Sequence, residues 1–99
     1  MQIVKSITGK QLTVTLVGSL NSITAPELDK ELAGDITKVQ KLILDLAQLE
    51  YMSSSGLRIL LSAQNSLDAQ DGQMIIRNVN ETVTEIFEIT GFVDVLTIE

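Results

Sequence analysis

The stretch LILDLAQLEYMSSSGLRILL, residues 42–61, joins an apolar run to a second apolar run through a cluster of serines. The first run is nearly continuous over 39–46, which is typical of a central strand covered on both faces. From Gly56 onward leucines recur at helical spacing, and this spacing predicts a helix. The serines at 53–55 therefore lie at a strand-to-helix junction, where a single serine would be enough to cap the helix.

The rest of the chain alternates between strand and helix patterns. Thr24 and Glu27 have the spacing of a capping box, while Asn80 and Gly91 are typical first and last residues of a helix. The expected strands are 2–7, 11–18, 39–46, 73–79 and 93–99, and the expected helices are 24–34, 56–71 and 80–91. The order ββαβαβαβ predicts one α/β domain over 1–99, with a mixed, partly parallel sheet of about five strands packed with about three helices.

Composition excludes several classes of function. The chain has no cysteine and no histidine, which removes thiol chemistry, zinc thiolate sites and the commonest general base. Its net charge of −6 and its 3% aromatic content argue against binding to nucleic acid or to anionic membranes. We expect no signal peptide, because the first residues contain no long apolar core, and no apolar run reaches the length that spans a membrane. We expect a soluble cytoplasmic protein that uses no cofactor and no metal.

The serine cluster admits three interpretations. A serine hydrolase is disfavoured because no histidine can activate a nucleophile and no G-x-S-x-G motif surrounds Ser54. A purely structural account assigns the serines to helix capping. The third account is a serine presented to the active site of another protein: one hydroxyl caps the helix, the others stay exposed, and Gly56 leaves the backbone open to a partner. Two pairs of acidic residues, Asp45 with Glu50 and Asp68 with Asp71, are interpreted as solvated surface.

Three segments together resemble the STAS domain family. They are VGSLNSITAPELDKEL at 17–32, LILDLAQLEYMSSSGLRILL at 42–61 and FEITGFVDVLTI at 87–98, in the family's order and across nearly the whole chain. The pattern is most similar to the stand-alone bacterial anti-sigma factor antagonists. The resemblance implies the STAS fold and a protein that is not an enzyme.

The resemblance also implies a switch. An antagonist of this type binds an anti-sigma factor that is also a serine kinase, releases a sigma factor, and is itself released when the kinase phosphorylates it. A phosphoserine phosphatase then resets it. The family register places the phosphorylated serine two residues before Gly56, at Ser54. The residues expected to contact the partner are Asn21, Ser22, Ser53, Ser55, Gly56 and Leu57.

Two positions depart from the family pattern, and other functions stay open at this stage. Ser53 stands where Asp or Thr is usual, and Asn21 stands where a carboxylate is common, so both remove negative charge near Ser54. The alternative function is a constitutive STAS subunit of a lipid-transport ATPase or a signalling complex, without phosphorylation. A sensor that holds a nucleotide or lipid near Asn21 and Ser54 is a further alternative.

Overall fold

The computed structural model describes residues 1–99 and contains one five-stranded sheet and three α-helices. The strands are β1 Gln2–Thr8, β2 Gln11–Leu20, β3 Lys41–Met52, β4 Gln73–Arg77 and β5 Thr97–Ile98. The helices are α1 Ala25–Ala33, α2 Ser54–Ala69 and α3 Glu81–Thr90, with short 3₁₀ turns at Ile36–Lys38 and Phe92–Asp94. β1 pairs antiparallel with β2, and the other neighbours pair in parallel in the order β1-β2-β3-β4-β5. The predicted order of elements and the mixed sheet are confirmed.

The core lies between one face of the sheet and the helices. Leu12, Val14 and Leu16 alternate along β2 and are fully buried, as a period-two strand requires. Each such side chain contributes about 1.5–3 kcal/mol on burial. The largest fully buried side chains are Leu12, Leu16, Leu20, Leu28, Leu42, Leu44, Leu46, Leu49, Met52, Leu60, Leu67 and Phe87. None of the helices combines the length and the apolar character needed to cross a membrane.

The second and third strands are longer than expected, which corrects two boundaries. β2 continues through Gly18 to Leu20, where a loop was predicted, and β3 continues through the predicted connector to Met52. The two strands stay paired because two register shifts accommodate their extra length, one of them between Gly18 and Ser19. Gly18 has φ +111°, a conformation that favours glycine. Leu20 and Met52 consequently end side by side at one edge of the sheet.

The predicted capping box at the start of α1 is wrong. Thr24 has helical backbone angles, and its side chain makes no capping bond. Its Oγ1 instead donates to the carbonyl of Ser19 at 2.8 Å and accepts from the amide of Asn21 at 2.8 Å. The hydroxyl is therefore used to close the loop between β2 and α1, and Glu27 makes no reciprocal bond to it.

The C-terminal segment is less regular than predicted. Gly91 ends α3 in the left-handed conformation, φ +79°, which confirms the predicted stop. The strand expected at 93–99 is wrong in extent, because the amides of Val95 and Leu96 bond to the carbonyl of Phe92 and close turns there. Only Thr97–Ile98 pair with β4.

The predicted cap of α3 is confirmed, and it has a second contact. The Oδ1 of Asn80 accepts from the amide of Val83 at 2.9 Å, and its Nδ2 donates to the carbonyl of Leu49 in β3. One side chain therefore starts α3 and ties it to the extended part of the sheet.

We expect Asn80→Ala to lower the free energy of unfolding by about 2 kcal/mol, because it removes both the cap of α3 and the hydrogen bond to the Leu49 carbonyl. Asn80→Ser should lower the free energy of unfolding by roughly half as much, since serine keeps the cap but cannot reach the carbonyl of Leu49. Urea unfolding measures both variants, with Thr82→Ala on the exposed face of α3 as control. Equal losses in the Ala and Ser variants would contradict the second contact.

Candidate functional site

Ser53 joins the sheet to α2. Its amide donates to the carbonyl of Leu20 at 2.8 Å, so it extends the pairing of β2 and β3 by one residue. Its backbone is extended, with φ −88° and ψ 175°, and its Oγ accepts from the amide of Gly56 at 3.5 Å. Its carbonyl accepts from the amide of Leu57 at 3.0 Å. Ser53 is therefore the N-cap of the helix, which begins directly at the edge of the sheet.

Ser54 is the first residue of α2 and is exposed, whereas Ser55 is half-buried. No hydrogen bond within the protein engages the hydroxyl of either residue; the only serine hydroxyl used at this helix start is that of Ser53. The prediction that one serine caps and another stays free and exposed is confirmed for Ser53 and Ser54. The Ser54 hydroxyl also lies beside the unpaired amides and the positive end of the helix dipole, where added negative charge is stabilised.

The loop after β2 lies next to this helix start. Asn21 follows Leu20, whose carbonyl holds Ser53, so the loop and the serine cluster emerge from adjacent strand ends. The Oδ1 of Asn21 accepts from the amides of Ile23 at 2.9 Å and of Thr24 at 3.1 Å, which fixes the turn. Ser22 is exposed at its tip. The structure thus brings the predicted loop residues beside the predicted serines.

Gly56 and Leu57 correct the predicted site. Gly56 is buried, and a Cβ added to it would lie 2.7 Å from Cγ of Leu20 and 3.0 Å from Cγ of Met52. The interpretation of this glycine as open backbone for a partner is wrong, because the protein's own side chains occupy that space. Leu57 is only 5% exposed. Neither residue offers a side chain to a partner; both seat the first turn of α2 on the sheet.

Three exposed residues near this edge were not predicted from the sequence. Ile23, between Ser22 and Thr24, is 79% exposed, and Tyr51 in β3 is 50% exposed. Arg58 is exposed on α2 four residues after Ser54. The available signals were an isoleucine inside a polar loop and an arginine at helical spacing from the central serine.

The hydroxyl of Ser54 has no neighbouring group that could act as its general base. No side chain within hydrogen-bond distance activates Ser54, and the structure assembles no group of three acidic residues able to hold a metal. The surface cavities are lined by other parts of the chain, and none includes Asn21 or Ser54. Two of the predicted surface carboxylates, Asp45 and Asp68, accept hydrogen bonds from Asn78 and Gln64. Neither the hydrolase nor the ligand-sensor alternative gains support.

These features define a class of small α/β protein. A capped helix start and a short polar loop stand together where two parallel strands end, and the capped helix presents one unengaged hydroxyl. The sequence pattern of the STAS domain family matches residues 2–99, and the chain belongs to that family.

Named relatives and solved structures agree with this assignment. BtrV of Bordetella bronchiseptica, named as an anti-sigma factor antagonist, is 36% identical over 85 residues, which cover 85% of this chain and 73% of that protein. The anti-sigma-B factor antagonist of Staphylococcus aureus is 30% identical over 86 residues, covering 84% and 78%. The anti-sigma factor antagonist SpoIIAA in its unphosphorylated form has a TM-score of 0.80 at 20% identity, covering 99% of this chain and 87% of that one. At that identity the likeness to SpoIIAA shows the fold.

We expect Gly56→Ala to lower the free energy of unfolding by about 1–3 kcal/mol, because the added methyl group overlaps Leu20 and Met52. The loss should appear even though alanine favours a helix over glycine by ~1 kcal/mol. Asn65→Ala, at an exposed position of the same helix, is the control and should be neutral or slightly stabilising. Chemical unfolding compares the two, and an unchanged or raised stability of Gly56→Ala would refute the close packing.

Proposed function

We propose that this protein is an anti-sigma factor antagonist. It binds an anti-sigma factor that is also a serine kinase, and binding releases a sigma factor from that kinase. The observation that carries the proposal is the exposed Ser54 hydroxyl, which no group of the protein engages while the neighbouring Ser53 caps the helix. The names of BtrV and of the Staphylococcus aureus relative support the same function.

The docking surface comprises the serine cluster and the adjacent loop. Ser54 lies at its centre, flanked by Ser53 and Ser55 and by the loop residues Asn21 and Ser22. The neighbouring Ile23 supplies an apolar side chain of the kind that interfaces bury, since it is 79% exposed in the free protein. Gly56 and Leu57 act from behind this surface, by holding the helix start against Leu20.

Phosphorylation of Ser54 switches this surface off. The kinase transfers the γ-phosphoryl group of Mg²⁺-bound ATP to the Ser54 oxygen, the hydroxyl proton passes to the catalytic base of the kinase, and ADP leaves. The chain supplies only the acceptor hydroxyl and is not itself an enzyme. The phosphate adds about −1.5 to −2 charge at neutral pH. Burying that charge unpaired in the complex costs several kcal/mol, and each ~1.4 kcal/mol lowers affinity tenfold.

A separate phosphoserine phosphatase restores the hydroxyl by adding water and releasing inorganic phosphate. SpoIIAA, which shares the fold, has been solved in a phosphorylated form, with a TM-score of 0.79 and 21% identity. The cycle takes place in the cytoplasm, where ATP is available, and involves neither nucleic acid nor membrane insertion.

The two departures from the family pattern keep their structural roles. Ser53 caps α2 with its hydroxyl, and Asn21 fixes the loop with its amide oxygen. An aspartate at either position could accept the same hydrogen bonds but would add a negative charge beside Ser54. The neutral residues therefore favour a kinase surface that is less basic than one adapted to an aspartate.

We expect Ser54→Asp to weaken binding to the kinase at least tenfold, because it places a charge at the centre of the interface. Ser54→Ala should bind like the wild type and remain bound in the presence of ATP. Isothermal titration against the anti-sigma factor measures both, with Ser66→Asp at an exposed position of α2 as the charge-matched control. Normal binding by Ser54→Asp would favour the constitutive STAS subunit instead.

Mass spectrometry after incubation with the kinase, Mg²⁺ and ATP should find a single phosphate on the serine cluster, at Ser54. Ser53 is half-buried and engaged as the cap, and Ser55 is half-buried, so both are less accessible to a kinase. Ser54→Ala should abolish the modification, while Ser55→Ala should leave it intact. Phosphate on Ser53 or Ser55 in the wild type would overturn the assignment.

A further inference from the structure

Arg58 is an exposed cation without an acidic partner. The ion pairs of the protein join Lys5 to Glu31 and Asp35, and Arg77 to Glu99, so no carboxylate lies within 4.0 Å of Arg58. On its own helix, the neighbours three and four residues away are Ser54, Ser55, Leu61 and Ser62, none of which is charged. The four lysines other than Lys5 also form no ion pair, but of the two arginines only Arg58 is unpaired.

We propose that Arg58 binds the phosphoryl group once Ser54 carries it. The inference rests on the proposed function, and it assigns a second residue to the switch. Residues four apart on a helix face each other with Cβ atoms about 5–6 Å apart, and an acid placed N-terminal to a base is the favourable order. The guanidinium forms two parallel hydrogen bonds to a phosphate, a geometry that lysine cannot reproduce.

No charged group of the fold forms an ion pair with this arginine. The only other charged residue of α2 is Asp68, ten residues farther along, where it accepts a hydrogen bond from Gln64. On the packed neighbour α1, Asp29 lines a groove with Ile59 and Ser62 that adjoins the groove of Arg58, but it forms no ion pair with Arg58. Arg58 itself borders a shallow groove with Asn65, and no other residue that lines this groove is charged.

The consequence is a phosphate held in one place and in one charge state. A cation beside the phosphate favours the dianion, so Arg58 lowers the second pKa of phosphoserine 54 below its ordinary value near 6. The modified protein then keeps the full dianion at cytoplasmic pH, fixed on the surface that the kinase must cover.

The test is a ³¹P NMR titration of the full chain phosphorylated at Ser54. Arg58→Gln should raise the pKa of the phosphate by about 0.2–0.4 unit, and the pKa in Arg58→Lys should fall between those of the wild type and Arg58→Gln. Lys10→Gln is the control, because it removes one positive charge at the turn before β2, the opposite end of the strand from Ser54. The same pKa in Arg58→Gln and in the wild type overturns the proposal.

Titration of the wild type and Arg58→Gln against the kinase, each in its unphosphorylated and phosphorylated form, separates the role of Arg58 from the proposed function. A tenfold loss of kinase binding by unphosphorylated Arg58→Gln, without any change in the phosphate pKa, makes Arg58 a contact of the kinase. This result overturns the proposed contact between Arg58 and the phosphate. A raised phosphate pKa in Arg58→Gln, together with kinase binding that phosphorylation does not affect, supports the contact between Arg58 and the phosphate and refutes the proposed function. A raised pKa with binding lost on phosphorylation supports both.

Discussion

The close approach of Gly56 to Leu20 and Met52 is the constraint on which the rest of the site depends. Because glycine has no Cβ, the first turn of α2 can lie directly on the ends of β2 and β3. The same contact places Ser53 where its amide reaches Leu20 and its hydroxyl reaches Gly56. With that capping position filled, the next serine projects into solvent. The accessibility of Ser54 thus follows from a packing contact behind it.

The order of strands and helices could be predicted because it depends on the spacing of apolar residues within short segments of the chain. Alternation at Leu12, Val14 and Leu16 marks a strand, and the caps formed by Asn80 and Gly91 involve residues within one turn of each. The errors share a different origin. The Thr24 hydroxyl finds its acceptor at Ser19, beyond the local capping pattern. The continuation of β3 to Met52 depends on pairing with a strand more than thirty residues earlier, which no local pattern contains.

The candidate site was predictable in part for the same reason. The position of Ser54 follows from the family register and from the strand-to-helix junction, both of which are local. The role of Gly56 was misassigned because its neighbours, Leu20 in particular, come from another strand. The exposure of Ile23 was not predicted, because the exposure of a side chain depends on how the chain folds around it. Its hydrophobic side chain carries no sequence signal beyond its place in a polar loop.

The shortness of β5 affects how readily the sheet can pair with strands of other chains. An edge strand of two residues leaves few unpaired backbone N–H and C=O groups to which a strand of another chain could add. The opposite edge strand, β1, has Lys5 at its middle. The β5 edge is therefore a poor template for fibre growth, whereas β1 is longer and exposes Val4 and Ile7. Unwanted strand pairing between copies of the protein is consequently expected at the β1 edge and not at the β5 edge.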